Sequence, residues 1–294
     1  MTARAAHRGI VVGVDGSTAA RTAVRWAARE AATRNETLTV VTVVNPTMGT
    51  TIRGIPVMSD SYLQWQEEEA RKALIEALKT VEESTQHAES VEVTTEMLTG
   101  PAAPTLVAMS ENADMVVVGS RGHGTITRVL LGSVSTTLIH HAHCPVAVIP
   151  HDPLKVPALA PVVVGIDGSP ASEAATAIAF DEASRRGVEL VALHVWSDTK
   201  MLGFRVPDWS IVQSEAVELL AERLAGWRER YPDVTVCRVV ACDEPARQLV
   251  EQSRSAQLVV VGSHGRGGVM TRLLGSVSTA VVHAAEVPVI VARR

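Results

Sequence analysis

The chain repeats itself once, at the scale of a whole domain. GSRGHGTITRVLLGSVS at residues 119–135 returns as GSHGRGGVMTRLLGSVS at 262–278, with ten of seventeen positions identical and every glycine of the first copy kept. GIVVGVDGS (9–17) returns as PVVVGIDGS (161–169), an offset of 152 residues, and TLTVVTVV (37–44) matches ELVALHVW (189–196) at the same offset. ADMVVVGS (113–120) matches AQLVVVGS (256–263), and HCPVAVI (143–149) matches EVPVIVA (286–292), both now at an offset of 143. Nine residues are therefore missing from the second copy between the counterparts of Val44 and about Val91, where a loop and a helix are expected to vary. A period near 145 residues is far too long for a solenoid. It describes two tandem domains, each long enough to bury its own core. Domain boundaries are expected at 1–151 and 161–294, joined by a linker at 152–160. DPLKVPALAP, at 152–161, has three prolines and neither period of a regular element.

Within each half, short β-branched runs alternate with helical patterns. IVVGV, LTVVTVV, VEVTTEML, MVVVGS and PVAVIP have the length and composition of buried strands. A first helix is expected from the N-cap Ser17, with Ala20, Val24, Ala27, Ala28 and Ala31 on one face. A second carries Ala70, Ala73, Leu74, Ala77, Leu78 and Val81. A third follows Pro104 with Leu106, Val107 and Met109, and a fourth follows Gly132-Ser133 with Val134, Leu138 and Ala142. Such alternation predicts an α/β fold, two doubly wound parallel-sheet domains of Rossmann-like type. Ligands of such sheets sit beyond the C-terminal strand ends, where Gly13 and Asp15, Gly119, and their counterparts Gly165, Asp167 and Gly262 fall.

Composition removes several function classes. The net charge of −5 offers no broad basic surface for nucleic acid, and 3% aromatic residues are too few for a base-stacking platform. Apolar runs such as MVVVG are strand-length, well short of the roughly 20 residues needed to span a bilayer, so no membrane insertion is expected. The first residues, MTARAAHRGIVVGVDG, lack a long apolar segment before a small-residue cleavage site, so no secretory signal is expected. Three cysteines, Cys144, Cys237 and Cys242, cannot form a disulfide framework without one left over, and a reducing cytoplasm is the expected location.

The repeated glycine stretch has a chemical reading. Gly119 ends a strand, Gly122 and Gly124 follow, and nine residues separate Gly122 from Gly132-Ser133; Gly262, Gly265, Gly267 and Gly275-Ser276 repeat the spacing. Glycine turns let backbone N–H groups approach an anion, and a helix starting at Gly-Ser points further free N–H groups the same way. Ordinary strand-to-helix turns would need no such repetition at fixed spacing. The loop is not a P-loop, because no Gly-Lys-Ser/Thr follows it. VGVDGS lacks the spacing of the dinucleotide fingerprint.

Gly-x2-Gly-x9-Gly-Ser, present twice, resembles the ATP-binding members of the universal stress protein family. The opening strands with Asp15 and Asp167, and the HCPV and EVPV segments, are similar to that family too. The resemblance covers nearly the whole chain as two tandem domains and implies an adenine-nucleotide alpha hydrolase-like fold. It implies ATP as ligand, with Mg2+ as an accompanying cation. Asp15 and Asp167 would hydrogen-bond the ribose or adenine side, although an N-terminal helix cap explains either carboxylate as well. The backbone near Val43 and Val195 would meet the adenine edge. Gly119, Gly122, Gly132, Ser133, Val134 and Ser135 would surround ribose and phosphates, as would Gly262, Gly265, Gly275, Ser276, Val277 and Ser278. Gly13 and Gly165 close the first strands beside them.

The two loops differ in their cations. Arg121 and His123 stand where the second copy has His264 and Arg266, and Arg128 and Arg272 are out of step by one position. One residue is about 100° on a helix, so the two sites are expected to differ in affinity. Solvated loop cations explain the same residues. HHAHC, with His140, His141, His143 and Cys144, has zinc-ligand chemistry, but it lies at a helix end running into a strand, and the second copy keeps only His283. No metal site is expected there, and Cys237 and Cys242 read as structural.

The function implied is that of a nucleotide-dependent stress or growth regulator, not an enzyme, with at most slow ATP hydrolysis. The alternative is an enzyme that cleaves ATP or transfers its adenylyl group, which would need a positioned base; a flavin-type carrier is a weaker third reading. The terminal strands VAVIP (146–150) and VIVAR (289–293) are expected to pair within the chain as a pseudo-dimer, and a homodimer of chains is expected beside it.

Overall fold

A computed structural model describes residues 9–45, 51–52, 55–56, 60–86, 91–122, 131–196, 209–265 and 274–293. The chain divides into two compact units, Met1–Asp152 and Pro153–Arg294.

In the first unit, strands β1 (Ile10–Gly13) and β2 (Leu38–Val44) are followed by a small antiparallel pair, β3 (Thr51–Ile52) and β4 (Ile55–Pro56). Strands β5 (Val93–Thr99), β6 (Met115–Gly119) and β7 (Val146–Ile149) complete the set. The main sheet runs β7-β6-β1-β2-β5, every neighbouring pair parallel. The chain leaves β1 toward β2 and returns on its other side at β6, so the winding reverses between β1 and β6. A crevice opens at such a reversal because the two connections leave in opposite directions. Helices α1 (Thr18–Arg34) and α2 (Asp60–Thr85) pack together, as do α3 (Ala102–Met109) and α4 (Ser133–His141).

The second unit repeats this. Strands β8 (Val162–Gly165), β9 (Leu190–Trp196), β10 (Val236–Cys242), β11 (Leu258–Gly262) and β12 (Val289–Ala292) run β10-β9-β8-β11-β12, again all parallel. Helices α5 (Pro170–Arg186), α6 (Trp209–Arg230), α7 (Pro245–Ser253) and α8 (Ser276–Ala284) take the four helical places. The nine-residue deletion is spread over three places: three residues come out of the connection before α6, four out of the helix and two out of the turn after it.

Local chemistry explains the elements. Ser17 and Ser169 cap α1 and α5, their hydroxyls accepting from the N–H groups of Ala20 and Ser172 at 3.1 Å each. Asn35 and Gly187 end the same helices in the left-handed conformation. The buried face of α1 is Ala19, Ala20, Ala23, Val24, Ala27, Ala28 and Ala31, small enough to lie close on the sheet. Glu30 and Glu182 are buried on these helices, and each is matched one turn on, by Arg34 at 2.5 Å and Arg186 at 2.8 Å. A buried carboxylate persists only with such a partner.

Three details depart from the sequence pattern. Helix α3 begins at Ala102, so Pro104 lies in its first turn, where no intrahelical N–H bond is lost. Leu78 of α2 is 40% exposed although its period matches Ala77 and Val81. On α4 the buried residues are Ser135, Leu138 and Ile139, with Val134 half-buried. The proline-rich stretch is fastened to the second unit: Leu154 N–H donates to the Glu286 carbonyl at 2.7 Å, and Gln257 Nε2 donates to the Ala158 and Ala160 carbonyls.

No disulfide joins the three cysteines. Cys144 is buried, which pushes its thiol up to about 12, whereas Cys242 is exposed at the end of β10 and Cys237 is half-buried. The thiolate is the reactive form. At pH 8 iodoacetamide should therefore label Cys242 first and Cys144 only after unfolding. Mass analysis of labelled peptides checks this; rapid labelling of Cys144 in the folded protein would contradict its placement.

Candidate functional site

The site of the first unit forms at the reversal between β1 and β6. Gly13 closes β1 under α3: a Cβ there would stand 3.1 Å from Leu106 Cδ1. The next turn is tight. Val14 N–H donates to the Val41 carbonyl at 2.8 Å, Gly16 takes φ +84, and Asp15 Oδ1 accepts the Ser17 N–H at 2.9 Å. The Asp15 carboxylate is thereby held at the start of α1. Gly119 closes β6 on the opposite face, against α1. A Cβ on it would lie 2.9 Å from the Ala19 carbonyl carbon and oxygen, so only glycine permits this approach.

Past β6 the loop turns toward the carboxylate. A Cβ on Gly122 would collide with Asp15 Oδ2. The returning end of the loop is tied to the strand end, with Gly132 N–H donating to the Ser120 carbonyl at 2.8 Å. Ser135 Oγ, buried, donates to the carbonyls of Gly132 at 3.0 Å and Ser120 at 3.3 Å. Helix α4 then starts from Gly132, and among the described residues no side chain caps it, leaving the first-turn N–H groups available. Ser133 is exposed at this end and Val134 half-buried. Val43, two residues past the Gly13 partner Val41 on β2, is the one residue of that strand that is not fully buried. It shares the face of Gly13, at the mouth of the crevice.

The second unit builds the same site from different side chains. A Cβ on Gly165 would meet Leu249 Cδ1 at 3.1 Å, and one on Gly262 would meet the Ala171 carbonyl carbon at 2.7 Å. A Cβ on Gly265 would stand 2.8 Å from Asp167 Oδ2. Asp167 Oδ1 accepts the Ser169 N–H at 2.9 Å, and the Asp167 N–H donates to Ser172 Oγ at 3.1 Å. Gly275 N–H donates to the Ser263 carbonyl at 2.8 Å, and Ser278 Oγ donates to the Gly262 carbonyl at 2.5 Å. Here Ser169 Oγ also donates to the His264 carbonyl at 3.2 Å, and Ser263 Oγ lies 2.9 Å from His264 Nδ1. Ser276 is exposed, while Val277 and Val195 are half-exposed at the helix start and at the end of β9.

Gly13, Asp15, Gly119, Arg121, Gly122, Gly132, Ser133, Val134 and Ser135 are thus gathered at one strand-end crevice, and their counterparts at another. The hydroxyls of Ser135 and Ser278 serve the loop's own carbonyls. His123, Gly124, Arg128, Arg266, Gly267 and Arg272 lie outside the described residues. Sequence reasoning passed over Ala19, Ala171, Ser120 and Ser263, which fix the loop ends. The repeated VVVGS was the signal for the two serines. Among the described residues no cluster of three or more His, Cys, Asp or Glu is arranged for a metal. His141 and His143 are exposed while Cys144 points into the core. No helix among the described residues is long and apolar enough to cross a membrane.

Two tandem parallel α/β units, each with a carboxylate facing a glycine loop at its topological reversal, define a duplicated α/β protein with one crevice at the strand ends of each unit. The profile of the universal stress protein family matches residues 7–150 and again 159–293. The chain is 55% identical over 292 residues to a universal stress protein of Mycobacterium tuberculosis strain H37Rv, covering 98% of both chains. A second universal stress protein of that strain is 53% identical over 288 residues, covering 97% of this chain and 96% of that one. The crystal structure of a universal stress protein from Archaeoglobus fulgidus shares the fold, with a TM-score of 0.73 at 23% identity over 97% of this chain and 96% of that one. The chain belongs to the universal stress protein family, as a tandem pair of its domains.

Because α1 and α5 rest directly on Gly119 and Gly262, Gly119→Ala and Gly262→Ala should each lower stability by about 1–3 kcal/mol, the range of an overpacked contact against backbone. Urea unfolding of each variant measures this; a loss below about 0.5 kcal/mol would show that the helix can shift away.

Proposed function

We propose that each unit binds one adenine nucleotide, ATP in particular, and that the chain acts as a nucleotide-dependent stress or growth regulator in a reducing cytoplasm. The observation that supports this most is the facing of Asp15 and Gly122, and of Asp167 and Gly265, with no room for a Cβ between them. A fixed carboxylate accepts hydrogen bonds from a sugar diol. A glycine loop beside it lets backbone N–H groups reach phosphates, and the uncapped start of α4 or α8 supplies more. Half-exposed Val43 and Val195 leave an apolar lip for the base. Mg2+ would travel with the phosphates, and the exposed hydroxyls of Ser133 and Ser276 offer hard oxygen ligands beside them.

Regulation is favoured over catalysis because each unit brings one carboxylate to the crevice, held at the sugar side by the turn N–H of Ser17 or Ser169, and neither glycine loop contains an acidic residue to serve as a base. A general base needs a free position beside the reacting atom. Turnover of ATP alone should stay well below about 1 per second, the lower end of ordinary enzymes. Steady-state phosphate or AMP release above that rate, abolished by one side-chain change, would support the enzyme reading instead.

Titration calorimetry of the full chain should find two ATP per chain. Gly122→Val and Gly265→Val should each remove one site, and together both, because the added carbons occupy the space against the aspartate. Unchanged stoichiometry in the folded double variant would overturn the site assignment.

A further inference from the structure

Helix α2 carries a feature that the nucleotide sites do not use. Its buried face is Ala70, Ala73, Ala77, Thr80 and Val81, yet Ile75 is 66% exposed and Leu78 40% exposed on its outer side. With Arg71 and Glu82 they form a stripe at spacings of four, three and four residues. That is the 3.5-residue period of a helix-pairing seam, apolar in the middle and oppositely charged at its ends. Arg71 is 56% exposed and loosely shared between Glu67 at 3.5 Å and Glu68 at 3.7 Å. Glu82, also exposed, has no ion pair among the described residues. The flanking cations are matched on the same helix, Lys72 by Glu69 at 3.0 Å and Lys79 by Glu83 at 3.9 Å.

We propose that this stripe is a docking surface for a second copy of the chain, two α2 helices meeting antiparallel across a two-fold axis between Glu76 and Ala77. In that register Ile75 meets Leu78 of the second copy and Leu78 meets its Ile75. Arg71 meets Glu82 of the second copy at one end, and Glu82 meets its Arg71 at the other. The stripe is its own complement only in this direction: a parallel pair sets Arg71 against Arg71 and Glu82 against Glu82. Two short seams bury far less than the roughly 1,600 Å² of a standard interface, so the dimer is weak and concentration-dependent. The second unit cannot form it. Aligning buried Ala73 and Ala77 with buried Leu220 and Leu224 places Glu218, Glu222, Ala225 and Glu229 on the corresponding stripe of α6, acidic with no apolar centre. One self-complementary stripe per chain closes a pair rather than growing a filament.

Sedimentation velocity of the full chain, from micromolar to millimolar concentration, reads the result. The unmodified chain should pass from monomer to dimer. Ile75→Glu should leave it monomeric throughout. Glu82→Arg or Arg71→Glu alone sets like charges together at both ends and should weaken the dimer about tenfold, while the Arg71→Glu/Glu82→Arg pair should restore it. All four positions are exposed, and an unchanged melting temperature confirms each variant as folded. A chain that stays monomeric at every concentration overturns the proposal. So does a dimer indifferent to Ile75→Glu, or one in which the double swap fails to rescue the single ones.

Discussion

The contact on which both sites depend is between a helix start and a strand end. In each unit the first helix lies so close on the fourth long strand that Gly119 and Gly262 have no space for a side chain against Ala19 and Ala171. The approach does two things. It brings the aspartate turn before the helix level with the loop after the strand, and it fixes the direction in which that loop departs. An alanine-faced helix and a terminal glycine are one device: small residues on both sides lower the distance between elements, and dense packing makes the gain.

Because that device acts through backbone, the two sites stay alike while their side chains drift. Ser120 and Ser263 carbonyls accept from Gly132 and Gly275 at 2.8 Å in both. Yet the neighbouring residue is arginine in one unit and histidine in the other, and the second loop has gained a bond from Ser169 Oγ to the His264 carbonyl. The cradle is therefore conserved in geometry within the chain, and the charge around it is not.

The second helix of each unit shows the opposite behaviour. Its inner face must cover the same sheet, but it does so with alanines in α2 and with Leu220 and Leu224 in α6, which is four residues shorter. In the second unit Phe180 also stacks on Trp227 and Tyr231, at 5.8 and 5.7 Å between ring centres, and Trp227 Nε1 donates to Glu173 at 2.8 Å. Far from the strand-end crevice, bulk can be traded between neighbours so long as the volume is filled. The outer faces have diverged further, into the acidic stripe of Glu218, Glu222 and Glu229 on α6 and the apolar-centred stripe of α2.

The sequence by itself determined the duplication, the strand-helix alternation, the serine caps of α1 and α5, and the glycine spacing of both loops. Those features are local or periodic, and repetition at fixed offsets separated them from chance. Only the tertiary structure decided what the glycines face. That Gly119 rests on Ala19, and that Gly122 opposes Asp15, depends on a winding reversal between strands some hundred residues apart in the chain, which no local spacing contains. It likewise decided that Leu78 points outward and Ile139 inward. An apolar period marks a helix face, but the neighbouring elements determine how wide a face they cover.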